Sequence, residues 1–168
     1  MKATLPGLIW RVLLLAAAVL YANAQTPRLE PSAAQGCANI AIVPFQTNID
    51  FETSIQPIFT ESCVVCHAAD SEFLDLSAGR AAASLIDRRS LQDSSRWLVR
   101  PGQPEHSLLV AKVLCSDPGL GGPMPPGLPL SPFQRALVHD WVLGGAPATH
   151  EDRISLANFR SRPAAAGL

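Results

Sequence analysis

The pentapeptide Cys63-Val64-Val65-Cys66-His67 constrains this chain more than any other feature. Two thiols two residues apart, followed at once by an imidazole, suit covalent attachment of a haem. The thiols reach the two vinyl groups on one side of the macrocycle, and the histidine lies beneath the iron as its proximal ligand. The expectation is one covalent haem c, with its iron, held by Cys63, Cys66 and His67. Other uses of the same residues fit less well. A Cys63–Cys66 redox disulfide wants a thioredoxin-like βαβ surround, and the chain has no such pattern. Zinc on Cys63, Cys66 and His67 needs a fourth ligand, and adjacent Cys and His side chains diverge. A structural disulfide across two residues is strained. The motif occurs once and no internal repeat is visible, which excludes a multihaem array.

The first residues read as an address. Lys2 supplies an early positive charge, Arg11 precedes an apolar run over residues 12–20, and Ala22-Asn23-Ala24 offers small residues to a signal peptidase. The run is shorter than the roughly 20 apolar residues of a membrane span. Residues 1–24 are therefore expected to be a signal peptide, with export to the periplasm or another extracytoplasmic space. Loss of Lys2 and Arg11 takes the formal charge from -1 to -3. So mildly acidic a chain has no basic patch for nucleic acid or an anionic membrane surface. All four cysteines lie beyond the cleavage site, in a compartment that permits disulfides. Four cysteines allow three pairings, and the motif chooses among them. Once it takes Cys63 and Cys66, Cys37 and Cys115 remain, and a bridge between them is favoured over two free thiols.

The rest of the chain reads as one all-α domain over residues 48–147, after a lead-in at 25–47 and before a loosely ordered tail at 148–168. Residues 37–45 alternate in polarity and suggest an extended segment ending at Pro44. Asp50 or Asn48 can cap a first helix to about Ser62, with Phe51, Ile55, Ile58 and Phe59 on one face and a kink at Pro57. Residues 77–87 suggest a second short helix with Leu85 and Ile86 inward. A turn at Pro101-Gly102 precedes a third helix, in which Pro104 suits the first position and Leu108, Leu109 and Val113 form the apolar face. Ser131 and Gln134 form a capping box for the last helix, Gly144 closes it, and Phe133, Leu137 and Trp141 make its inner stripe. The 15 prolines, well above the usual ~5%, predict long stiff loops, above all over residues 116–130.

That loop holds Met124, the only methionine left after the leader is removed. It sits in Gly121-Gly122-Pro123-Met124-Pro125-Pro126-Gly127, where the prolines stiffen the backbone and remove donors that would otherwise need partners. A thioether is a weak neutral ligand that the chain must hold in place, and Met124 is the expected sixth ligand of the iron. The competing histidines are His106 and His139 on helices, read as surface or satisfied groups, and His150 in the tail.

Taken together, the stretches SIQPIFTESCVVCH, LDLSAG, VRPGQPEHSLLVAKV, MPPGLPLSP and HDWVLGGAP make residues 51–147 resemble the planctomycete-type cytochrome c domain, a branch of the class I-like cytochromes c. The resemblance implies a small helical fold wrapped around one haem, with first and last helices packed together. It also implies His67 and Met124 as axial ligands and electron transfer as the activity. On this reading the chain is not an enzyme but a monohaem carrier serving redox partner proteins, alone or as a subunit of an oxidoreductase complex. A dry pocket is expected from Phe51, Ile55, Phe59, Leu109, Leu137 and Trp141, with Trp97 and Arg100 as candidates to hydrogen-bond the haem propionates. The alternative is a haem-based peroxidase, or a redox or gas sensor, with a labile sixth ligand.

Overall fold

The computed structural model describes residues 36–69, 71, 74–152 and 154–155. The expected signal peptide, residues 25–35 of the lead-in and most of the tail lie outside the described residues. What is described is helical. A π-helical turn, Phe51–Ile55, runs into α1, Gln56–Ser62. The short α2 spans Ala81–Leu85, a 3-10 turn Pro104–His106 leads into α3, Leu108–Leu114, and α4 spans Pro132–Leu143. Isolated bridges take the place of strands, joining Cys37 with Cys115, Ile86 with Val99, Arg89 with Trp97 and Trp97 with Ser107. No helix among the described residues is long and apolar enough to cross a membrane.

Of the two candidate caps for the first helical stretch, Asp50 serves: its carboxylate accepts the Thr53 N–H at 3.0 Å. At Pro57, where a kink was expected, the backbone changes helical register. The Gln56 N–H reaches back to the Phe51 carbonyl, five residues away, and α-helix begins only there. Proline then falls in the first turn of α1, where an N–H would lack an intrahelical partner anyway.

The extended segment expected over 37–45 is not formed. Cys37 makes a single antiparallel bridge, the Ala38 N–H donates to the Leu114 carbonyl at 2.8 Å, and the Val43 N–H then closes a turn onto Ile40 at 3.0 Å. Without a partner strand, alternation alone has no ladder to join. Ile40 is buried by the turn instead, while Ile42 stays exposed. The sulfurs of Cys37 and Cys115 lie at disulfide distance, 2.00 Å, and fasten this segment to the end of α3.

The core lies where the first and last helical stretches meet. Phe51 packs on Trp141 with ring centroids 5.4 Å apart and on Phe59 at 6.1 Å. Ile55, Ala136, Val138 and Val142 fill the space between them and are fully buried. The indole N–H of Trp141 donates to the Pro147 carbonyl at 3.1 Å, so its one polar atom is satisfied inside.

In α4 both arms of the capping box are present: the Gln134 N–H to Ser131 Oγ at 3.2 Å, and the Ser131 N–H to Gln134 Oε1 at 3.0 Å. The inner stripe differs from expectation. Phe133 is 51% exposed and Leu137 only partly buried; Trp141 is buried as expected, along with Ala136, Val138, His139, Asp140 and Val142. The polar pair has partners inside: Asp140 accepts the Gln46 N–H at 2.9 Å and pairs with His139 Nδ1 at 2.9 Å, docking the lead-in on α4. Buried and partnered, these side chains avoid the desolvation penalty that would otherwise exclude them.

Two outcomes follow from this packing. Trp141→Ala removes the largest core side chain and is expected to cost about 3–5 kcal/mol, read as a lower urea midpoint. Reduction of Cys37–Cys115, which closes a loop with a sequence separation of 78, is expected to cost about 4 kcal/mol. Thermal unfolding with and without reductant measures it, and an unchanged midpoint would contradict the linkage.

Candidate functional site

The Cys63–His67 motif continues α1 as a tight turn. The Cys63 N–H donates to the Phe59 carbonyl at 2.8 Å, and the Cys66 and His67 N–H groups both return to the Cys63 carbonyl, at 3.1 and 2.9 Å. His67 is then pinned from outside the turn. Its carbonyl accepts the Leu76 N–H at 2.8 Å, and the Leu76 carbonyl accepts from the buried Gln56 amide at 3.1 Å.

This turn forms one wall of a cavity of about 330 Å³, to which it contributes Cys63 and His67. Opposite walls come from Leu108, Leu109, Lys112 and Val113 of α3, from Leu74, Leu76, Leu85, Leu91 and Leu98, and from Gly121, Gly122 and Met124. Ser90, Gln92 and Lys112 are its polar lining. The cavity thus gathers Cys63, His67 and Met124 from distant parts of the chain and encloses them mainly with leucine. Cys66 is exposed at its edge of the turn, and Met124 is half-buried.

Electrostatics follow from this burial. Desolvation pushes the Cys63 thiol up to about 11. Burial, and after it the Lys112 charge, hold His67 below the usual histidine range, which favours a neutral imidazole. His67 Nδ1 is buried with no hydrogen-bond partner among the described residues. The ammonium of Lys112 is itself held below its ordinary range, by burial first and by Arg96 second.

The remaining histidines do not line the cavity. His139 pairs with Asp140 inside the core, His106 is exposed with Glu105 3.7 Å away, and His150 is exposed. Trp97 and Arg100, the candidates for propionate contact, are also absent from its lining. Trp97 lies under the Arg89 guanidinium, 3.6 Å from the ring centroid, with Arg100 at 5.6 Å, a stacking arrangement that occupies its face. Of the six residues expected to form a dry pocket, Leu109 alone lines the cavity. Phe51, Ile55, Phe59 and Trp141 are spent on helix packing, and Leu137 packs beside them. The residue that periodicity missed is Lys112. It sits one position before Val113 on the apolar face of α3, where a lysine stem can pack while its head finds polar partners.

Among the described residues, no three His, Cys, Asp or Glu side chains form a group able to hold a metal ion. The cavity instead brings together the His67 imidazole, the Met124 thioether and the Cys63 thiol, while Cys66 lies outside its lining. Compared with protein-family models, curated proteins and solved structures, the chain matches none.

The two thiols are expected to react differently in haem-free protein. Iodoacetamide should modify Cys66 first, because burial leaves Cys63 with about a hundredfold less thiolate at neutral pH than an ordinary thiol. The Cys63 rate should climb as pH approaches about 11. Fragment-ion mass spectrometry at short reaction times orders the two sites, and equal rates at pH 7 would contradict the difference in burial.

Proposed function

We propose that this chain is an exported monohaem c-type cytochrome that carries electrons. Cys63 and Cys66 would hold one haem c by thioether bonds, and His67 and Met124 would be its axial iron ligands. The observation that carries this reading is the convergence of Cys63, His67 and Met124 on one leucine-walled cavity. Met124 comes from a loop with no helix or strand of its own, far along the chain from the motif, yet it joins the same cavity.

The donor set suits a haem. A coordinating imidazole must be neutral, and burial favours that form of His67. A soft, neutral thioether supports ferrous iron and raises the potential. When bound, the haem supplies the one-electron ferric–ferrous couple.

The chain's own residues do the rest. The two cysteines would anchor the cofactor covalently, and His67 and Met124 would ligate its iron. The wall of Leu74, Leu76, Leu85, Leu98, Leu108 and Leu109 would give the cofactor an apolar surround. Under this reading the helical architecture is a cytochrome c-like fold of the planctomycete type, as the sequence stretches imply. The contact of Phe51 with Trp141 is its packing of first on last helix. Cys37 and Cys115 at disulfide distance fit an oxidising, extracytoplasmic compartment. The partners would be redox proteins, whether the chain acts alone or as part of a larger complex.

Two measurements test the assignment. Haem should stay with the polypeptide through acid–organic extraction and a denaturing gel; complete extraction would refute covalent attachment. Reduced wild type should bind carbon monoxide poorly, whereas Met124→Ala should bind it stoichiometrically and have a lower potential. A peroxidase or gas sensor predicts an open position in wild type. Equal binding and equal potentials in the two proteins would return Met124 to the status of a wall residue.

A further inference from the structure

We propose that Lys112 is a positioning residue for the axial methionine, clamping the loop that presents Met124 to the cavity; this rests on the reading of Met124 as an iron ligand. The residue grips the loop from both of its ends. Its ammonium donates to the Leu120 carbonyl and to the Gly122 carbonyl, the latter at 3.0 Å. Its main-chain carbonyl accepts the Met124 N–H at 2.8 Å. One residue on a packed helix thereby holds three points along residues 120–124.

The geometry between those points is closed around the ammonium. Gly121 lies between the two carbonyls that bind it, with φ +59°, in the left-handed region that favours glycine. A Cβ built there would come within 3.2 Å of Lys112 Nζ, so the loop wraps the charge too closely for a larger residue without adjustment. Lys112 also lines the cavity beside Leu109 and Val113, so its stem is part of the wall that Met124 faces.

Chemistry explains why a lysine serves here. Its compact head carries three donors and no acceptor, and it can serve two backbone carbonyls at once. Hydrogen bonds from a charged donor are roughly twice as strong as neutral ones. Residues 119–131 form no helix or strand, so the neighbouring backbone does not supply this order. A thioether binds iron weakly, and a loop free to swing would leave it unbound for part of the time. The clamp lowers the population of such open states.

The test uses exported holoprotein carrying wild type, Lys112→Leu and Gly121→Ala. Lys112→Leu keeps an apolar wall and removes both ammonium contacts. Gly121→Ala crowds the same clamp from the loop side and leaves Lys112 in place. The readouts are the near-red sulfur-to-iron charge-transfer band of the ferric protein and the rate of carbon monoxide binding to the ferrous protein, with haem staining and helical circular dichroism as controls. The expected result is a weakened band and carbon monoxide binding about tenfold faster in Lys112→Leu, since each charge-assisted hydrogen bond lost can shift a closed–open equilibrium by at least that factor.

Retention of the wild-type band, with binding within twofold of wild type, would overturn the clamp while leaving the ligand intact. If Lys112→Leu loses its helical signal, Gly121→Ala decides by the same two readouts. A wild type that lacks the band and binds carbon monoxide freely would overturn the ligand reading itself, and the clamp with it. That outcome is visible before any variant is made.

Discussion

The contact between Phe51 and Trp141 holds together the two ends of the described domain, and the rest of the architecture hangs from it. The π-helical turn brings Phe51 against α4, and α1 continues from that turn straight into the cysteine–histidine motif. The placement of His67 is therefore set at its far end by an aromatic contact in the core and at its near end by the Leu76 and Gln56 hydrogen bonds. A rigid mount matters for a side chain that shares a cavity wall with a remote loop, because a small displacement at the core would be carried along the helix.

The same domain divides its apolar residues by shape. The aromatic rings of Phe51, Phe59 and Trp141 pack on one another in the helix interface, where large rigid groups bury the most surface for few rotatable bonds. The cavity is lined mainly by leucines from five separate stretches of chain, of which Leu76 and Leu85 also belong to the core. Between the two regions, α3 serves both: Val110 and Leu114 belong to the core, whereas Leu109 and Lys112 face the cavity, and Leu108 and Val113 are buried at its wall. That short helix also receives the lead-in through Cys115 and Ala38 and the methionine loop through Lys112. It is the junction at which segments without regular structure become ordered.

Buried polarity is handled economically. Asp140 and His139 lie inside the core but pair with each other, and Asp140 also takes the Gln46 amide. Gln56 donates to Leu76 while its carbonyl oxygen is left buried without a partner, as is His67 Nδ1. Unsatisfied buried groups are rare enough in native proteins to call for an explanation. Both lie on the segment that carries His67 to the cavity wall.

Local chemistry was legible in the sequence wherever the responsible atoms are near neighbours. The capping box of Ser131 and Gln134, the cap at Asp50, the turn at Pro101-Gly102 and the absence of regular structure around Met124 all depend on backbone groups within a few residues. The pair Cys37 and Cys115, 78 residues apart, was legible for a different reason, by residue type and count once the cysteine–histidine motif had claimed the other two thiols. Tertiary structure alone decided that Asp140 is buried with a partner, because the Gln46 amide it accepts lies 94 residues away. It also decided that Phe51, Phe59 and Trp141 serve the core and not the cavity, that Arg89 stacks on Trp97, and that the methionine loop wraps the Lys112 ammonium. Periodicity reports that a side chain is apolar and on which side of its own helix it lies. It carries no information on what will stand opposite, and a cavity is defined by what stands opposite.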